Sequence, residues 1–440
     1  MLQQALQAAT DTRQVVIGAG ALASTTEVFK RSFGDQPAVV IADENTFEVA
    51  GREVQRQLLA ANLSPIAPFI FPGRPQLHAD YEHVVELESA LRQHTSIPVV
   101  VGSGTLNDLT KVAAHRCARS YLIVATAASM DGYTSFGASI TRDGFKQTMP
   151  CPAPRAVVAD VEVLLKAPAE MTAWGYADLL GKVTAGADWI IADTLGIEPL
   201  HPHAWSLVQY SLRRWIGQPQ QLRAGDRSAM EGLIEGLIFS GLAMQTAQSS
   251  RPASGSEHQF SHLWEMQGVP IFSHGFKVGI GSLASAALYE QILDRDLSRI
   301  DIDAIVRGWP TREQFAESVR RSHDQPIIAE NAVQQSSAKY VDADHLRERL
   351  NRVRECWPSL RPRLIEQLLP AAQLRAHLRA AGCPTAPEEI GLDRARLKAS
   401  YAQARQIRSR YTLFDLAAET GCLAESVAAL FEPGGFWCAA

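Results

Sequence analysis

The first 160 residues alternate two hydrophobic patterns. Short runs rich in Val and Ile are RQVVIGAG (13–20), PAVVIAD (37–43), APFIF (67–71), IPVVVGSG (97–104), YLIVAT (121–126) and RAVVAD (155–160). Between them lie stretches such as EVAGREVQRQLLAAN, whose apolar residues recur at helical spacing. Continuous apolar runs of this length suit strands buried on both faces, with the intervening helices as cover. This alternation predicts a parallel sheet in an α/β domain. TSFGASITRDGFKQTMP alternates about Arg142-Asp143-Gly144, which predicts a β-hairpin. From Val161 onward the helical period dominates and strand-like runs nearly vanish. The expected architecture is an α/β, Rossmann-like parallel-sheet domain over residues 1–160, followed by an all-helical domain over 161–440.

Composition narrows the class without deciding it. A chain of 440 residues with 46% hydrophobic and 20% charged residues can bury sizeable cores. A net charge of -5 gives no reason to expect nucleic acid or a membrane as partner. LRERLNRVREC and ARQIRSRY mix Arg with acids and read as solvated helix faces. Cys117, Cys151, Cys356, Cys383, Cys422 and Cys438 show neither C-x-x-C nor zinc-finger spacing, which suits a reducing compartment. The N-terminal MLQQALQAATDTRQ lacks a basic start and an apolar core, and no apolar run reaches the roughly 18 residues of a membrane span. The expected location is the cytoplasm.

Three segments suggest a nucleotide site. VVVGSGTLNDLTK is a strand, a turn and a helix; Gly102 and Gly104 permit close backbone approach, Ser103 adds a hydroxyl, and the helix start offers free N–H groups to a phosphate. It is not the dinucleotide fingerprint, for it lacks a third glycine and follows the fourth strand. Asp43, just past the second strand, can accept from ribose hydroxyls and would repel a 2′-phosphate, which favours NAD over NADP; it can equally cap the next helix. After the fifth strand, IVATAASMDGYTS gathers Thr126, Ser129, Asp131 and Ser135 at the carboxyl edge of the sheet.

The helical half holds a cluster of histidines. SGSEHQFSHLWEM places His258 and His262 four apart on one helical face, and His274 begins a new helix after Gly268 and Pro270. Imidazoles from two helices need only a carboxylate and an open position to form a catalytic divalent-metal site. Asp178, in WGYADLLGKVTAGADW, is the preferred carboxylate and Asp188 its rival, since an acid on an apolar helix is costly unless paired or ligated. Spacing alone does not choose which two histidines bind.

Together IADENT, GSGTLNDLTK, TAASMDGYTS, GYADLLGKVTAGADW, SGSEHQFSHLWEM, SHGFKVGIG and RSRYTLFDLAAETG resemble, in order, the glycerol-dehydrogenase and dehydroquinate-synthase-like branch of the metal-dependent alcohol dehydrogenases. Within it they are most similar to the sn-glycerol-1-phosphate dehydrogenases. The resemblance implies the dehydroquinate-synthase-like fold, with a dinucleotide-binding first domain and a metal- and substrate-binding second. It implies Asp178, His258 and His274 as metal ligands, with His262 and Asp131 at the substrate. Asp43, Gly102, Ser103, Gly104, Thr105, Leu106, Thr126, Ala127, Ala128, Ser129 and Ser135 fall at its nucleotide contacts. Where four-ligand iron relatives carry a further histidine, this chain has Lys182, which implies three ligands and zinc or nickel. The implied reaction is reversible reduction of dihydroxyacetone phosphate by NADH in a homodimer. A polyol dehydrogenase on a free substrate and a cyclase using NAD transiently are the alternatives. Lys182, Lys146 and Lys277 are candidates for the substrate phosphate, Lys182 foremost. Residues 340–390 carry no recognised motif.

Overall fold

A computed structural model describes residues 2–142, 145–269 and 273–438, the side chains of 145 and 146 apart. The chain forms two compact units: Met1–Leu179 with His203–Ser250, and Leu180–Pro202 with Arg251–Ala440. The last strand ends at Asp160, so the change of texture along the chain and the division into units fall at different places.

The first unit is built on a parallel sheet. Its strands are β1 (Gln14–Gly18), β2 (Ala38–Asp43), β3 (Phe69–Phe71), β4 (Ile97–Gly102), β5 (Leu122–Ala125) and, after the two strands of the hairpin, β8 (Ala156–Asp160), in the order β1-β8-β5-β4-β2-β3. The apolar runs are continuous because these strands are covered on both faces: β4, β5 and β8 are buried at every position. On one face Phe29, Val54 and Leu58 pack against Val40, Val99, Val101, Val124 and Val158. The hairpin is present as β6 (Ala138–Arg142) and β7 (Phe145–Met149), with Arg142 opposite Phe145; the turn residues 143 and 144 lie outside the described residues.

Strand order places the nucleotide segments. From β2 the chain steps outward to β3, then returns past β2 to β4 and continues to β5 on the other side. The connection reverses between β2 and β4, and ligands of open parallel sheets sit at that reversal, beyond the carboxyl ends of the strands. Asp43 ends β2, Gly102 ends β4, and Thr126 follows β5, so the three segments are neighbours on one edge.

The second unit is helical throughout its described residues. The helices Ser256–Met266 and His274–Leu293 approach at backbone distance, for a Cβ on Gly281 would lie 2.4 Å from the carbonyl oxygen of Glu257. The single helix expected through WGYADLLGKVTAGADW is two, Ala169–Leu180 and Lys182–Thr194, parted at Gly181. Within the motif-free stretch the helix Ala343–Gln367 braces the second of these: Gln367 Nε2 donates to Val183 O (3.1 Å) and Arg352 Nη1 to Leu195 O (2.8 Å). The Arg-rich segments are only partly solvated faces. Arg347 pairs with Asp303 at the surface, but Arg349 pairs with buried Glu419, and Arg405 (2.9 Å) and Lys339 (2.9 Å) converge on buried Asp415. No helix among the described residues is long and apolar enough to cross a membrane.

Candidate active site

In the first unit, β4 runs through Ser103 directly into the helix Gly104–Arg116. Any side chain at position 102 would strike Leu106, its Cβ lying 2.4 Å from the Leu106 methyl, so glycine is required there by close approach. The first helical bond is Asn107 N to Ser103 O (3.0 Å). The N–H groups of Gly104, Thr105 and Leu106 precede it and have no intrahelical acceptor, which makes the turn suited to a pyrophosphate. Asp43 performs the capping role open to it. Its Oδ1 accepts from Thr46 N (2.7 Å) and its own N–H donates to Thr46 Oγ1 (3.1 Å), a capping box. The capping bond uses Oδ1, at the carboxyl end of β2.

The loop after β5 is held from several sides. Thr126 N donates to Gly102 O (3.1 Å), tying it to the glycine turn. Thr126, Ala127, Ala128, Ser129 and Ser135 are all buried. Two helices meet this loop at glycines: a Cβ on Gly175 would lie 2.0 Å from Ala128 O, and one on Gly241 would lie 2.2 Å from Thr134 Oγ1. Buried Lys111 donates to the carbonyls of Gly132 (3.1 Å), Ser135 (2.9 Å) and Gly137 (2.9 Å). Asp131 is fixed by Ser240 Oγ on its Oδ2 (2.8 Å), while its N–H donates to Asp178 Oδ2 (3.1 Å). Asp131 and Asp178 thus stand together, with Asp178 fully buried on the helix Ala169–Leu180. Lys111, Ser240 and the two glycines were not evident as site residues from the sequence; only the place of Lys111 in GSGTLNDLTK hinted at it.

In the second unit the three histidines meet. Ring centroids of His258 and His274 are 5.2 Å apart, those of His258 and His262 6.2 Å, and those of His262 and His274 6.0 Å. Two glutamates behind them, absent from the sequence reading, set their chemistry. Glu257 Oε1 accepts from Gly255 N (2.6 Å) and lies 2.7 Å from His258 Nδ1, while Oε2 accepts from Thr184 Oγ1 (2.6 Å). Burial works to raise the Glu257 pKa, but His258, Thr184 and Gly255 outweigh it and hold the carboxyl below its ordinary value. Glu265 Oε1 lies 3.1 Å from His274 Nδ1, and Ser261 Oγ 3.2 Å. A carboxylate at Nδ1 keeps the proton there and the lone pair on Nε2, the tautomer a metal ion needs; the donor set therefore fits a divalent cation.

His262 is different. Its Nδ1 is 3.7 Å from Glu265 Oε2 and its side chain is 30% exposed. Burial pushes its pKa down to about 3, against the pull of Glu265, so the imidazole is neutral though water reaches one side of it. Asp188 is fully committed elsewhere: Oδ1 accepts from Tyr289 OH (2.7 Å) and Leu413 N (2.8 Å), Oδ2 from Ser256 N (2.6 Å). It is a structural staple, not a spare ligand. Lys182 and Lys277 are both buried and have interactions of their own; the side chain of Lys146 lies outside the described residues.

Residues 16–168 match the family described as iron-containing alcohol dehydrogenase. The glycerol-1-phosphate dehydrogenase [NAD(P)+] of Bacillus subtilis (strain 168) is 31% identical over 355 residues, covering 78% of this chain and 90% of that enzyme. The chain belongs to the glycerol-1-phosphate dehydrogenase family. The enzyme of the same name from Halalkalibacterium halodurans is 37% identical over 257 residues, 57% of this chain and 64% of that enzyme, just under two thirds of its length. A probable glycerol dehydrogenase from Sinorhizobium meliloti 1021 superposes with a TM-score of 0.60 at 16% identity, covering 95% of this chain and 98% of that one, and shows the shared fold. Members of this family are NAD(P)-dependent oxidoreductases of the alcohol dehydrogenase type, and both the parallel-sheet start and the helical remainder of the chain agree with that.

Proposed function

We propose that the protein reduces dihydroxyacetone phosphate to sn-glycerol 1-phosphate with a reduced nicotinamide cofactor, reversibly. The observation that carries this reading, beside the family, is the pair of imidazoles with Nδ1 held by Glu257 and Glu265. Asp178, His258 and His274 are the proposed ligands of one divalent ion. Three ligands with Lys182 in place of a fourth favour zinc or nickel, the family's name notwithstanding. When bound, the ion supplies Lewis-acid polarisation of the substrate carbonyl and the nicotinamide supplies hydride.

The chain's own residues do the rest. The turn Gly102–Leu106 binds the cofactor's phosphates, Asp43 its ribose, and the buried loop Thr126–Ser129 with Ser135 lies along the nucleotide and excludes water. Asp43 favours NADH, since a 2′-phosphate would meet its carboxylate. Asp131, oriented by Ser240, holds a substrate hydroxyl. His262, neutral and partly exposed, hydrogen-bonds the substrate oxygen at Nε2, and the proton that this oxygen gains on reduction comes from the water that reaches the ring. A homodimer is the proposed working form, for β1 and β3 leave edge strands that can pair. A cytoplasmic location accords with six free cysteines.

Steady-state NADH consumption tests the reading. Dihydroxyacetone phosphate should drive net oxidation that a chelator abolishes and added zinc or nickel restores. Equal efficiency with dihydroxyacetone would make the enzyme a polyol dehydrogenase. No net oxidation with either would refute the assignment and revive the cyclase alternative.

A further inference from the structure

The segment between the helices Arg394–Gln406 and Leu413–Glu419 runs beside the helix that carries His258 and His262. It is fastened there. Arg410 Nη1 donates to Ser254 O (2.6 Å), Gln259 Nε2 donates to Arg410 O (3.2 Å), and Thr412 Oγ1 donates to Gln259 Oε1 (3.1 Å). Gln259 adjoins His258 in sequence, so these bonds fix the approach of residues 408–412 to the histidine helix. The arginines of the segment are not equivalent. Arg405 is bound to Asp415 (2.9 Å) and Arg410 to Ser254. Arg408 has no hydrogen bond or ion pair among the described residues, and it stands two residues before the Arg410 carbonyl that Gln259, next to His258, holds against the histidine helix; its charge acts on Glu265 and on the titration of His262. Its residue is exposed, yet enough protein surrounds the guanidinium for burial to push its pKa down, partly offset by Glu265. Glu265 is engaged with His274 and His262. A planar cation with its donors unspent therefore stands at the histidine corner.

We propose that Arg408 binds the phosphate group of the substrate and sets the preference for a phosphorylated over a free triose, an inference that rests on the dehydrogenase reading above. Guanidinium presents parallel N–H donors that match two phosphate oxygens and remains charged at any working pH. Lys182 and Lys277, the lysines expected for this task, are buried with interactions of their own. Arg408 offers the charge where solvent, and hence substrate, can reach it.

The test compares the wild type with Arg408→Gln and Arg408→Lys, using dihydroxyacetone phosphate, dihydroxyacetone, and inorganic phosphate as a competing anion. In Arg408→Gln the ratio of kcat/KM for the phosphorylated to the free triose should fall about 10- to 100-fold, mainly through KM, the range expected for one charge-assisted contact. Inhibition by inorganic phosphate should weaken in parallel, and Arg408→Lys should recover part of both. Metal content and thermal unfolding should match the wild type. An unchanged ratio, or equal loss on both trioses, overturns the proposal, the latter meaning that Arg408 acts through Glu265 on the imidazoles. A wild type without preference for the phosphorylated triose would overturn the phosphorylated-substrate reading and this inference together, leaving a polyol dehydrogenase, and is distinguished because it appears before any substitution.

Discussion

Replacing Glu257 by Gln isolates what a buried carboxylate does behind a metal-binding imidazole. Glutamine has the same shape. Its Oε1 can still accept from Gly255 N and His258 Nδ1, at the 2.6 and 2.7 Å positions now filled by the carboxylate. Its Nε2 then faces Thr184 Oγ1, whose hydroxyl can turn to accept while donating to Gly181 O, 3.0 Å away. Every donor that now bonds Glu257 keeps an acceptor, so the local fold survives. The negative charge behind His258 is what disappears. Its loss lowers the basicity of Nε2, and partners of this kind are worth roughly 10- to 100-fold in metal affinity, or about 1.4–2.8 kcal/mol at 1.4 kcal/mol per decade. A compensating effect limits the cost to folding. Burial, aided by Glu257, pushes the Asp188 carboxyl up to about 6, and neutralising Glu257 relieves that repulsion. Apo-protein stability should therefore change by no more than about 1 kcal/mol. Titration of metal-free protein with zinc against a chromophoric chelator measures the affinity, and thermal unfolding of the same samples measures the fold. Unchanged affinity in a folded variant would refute the argument. So would a loss of affinity matched by an equal loss of apo-protein stability, since Glu257 would then be only a structural acceptor.

Two further substitutions test the nucleotide half. Asp43→Ser keeps a side chain able to cap Thr46 N but removes the charge, so NADPH should gain roughly 10-fold on NADH in kcat/KM with little change in melting temperature; an unaltered ratio would show that Asp43 is a cap and nothing more. Gly175→Ala puts a methyl where the carbonyl oxygen of Ala128 stands 2.0 Å away, so helix and loop must part; the fold should lose about 1–3 kcal/mol of stability and the Kd for NADH, read by fluorescence, should rise. Normal NADH affinity in that variant would disconnect the buried loop from the cofactor.

Some of this architecture was readable because local chemistry decides it. Val and Ile runs ending at Gly102-Ser103-Gly104 leave few options but a strand, a close turn and a helix start. The four-residue step from His258 to His262 lies on one helix, and the restart at His274 brings a second helix to it. What was not readable depends on contacts across long stretches of chain. Asp178 and Asp188 look alike in WGYADLLGKVTAGADW. Only the structure shows Asp188 taken up by Ser256, Tyr289 and Leu413, residues far from it in sequence. An acid beside a histidine on a helix reads as a solvated face. Glu257 is instead buried because Gly281 lets a second helix close over its backbone, and no periodicity records that approach.

The same reasoning explains why a stretch after the last strand belongs with the sheet. Residues 203–250 are helical in pattern, yet they join the first unit. Their helix Arg227–Ala247 touches β1 and turns Ser240 onto Asp131, with the bare backbone of Gly241 against Thr134 and the side chain of Gln245 on Thr12 Oγ1 (2.8 Å). A change from strand to helix marks where local structure alters. Compact units are set by which surfaces bury one another, and here the burying surfaces are a glycine, a serine and an amide whose partners lie more than 100 residues away in sequence. The loop that is proposed to carry the nucleotide is therefore shaped by a helix that sequence texture alone would assign to the other half of the protein.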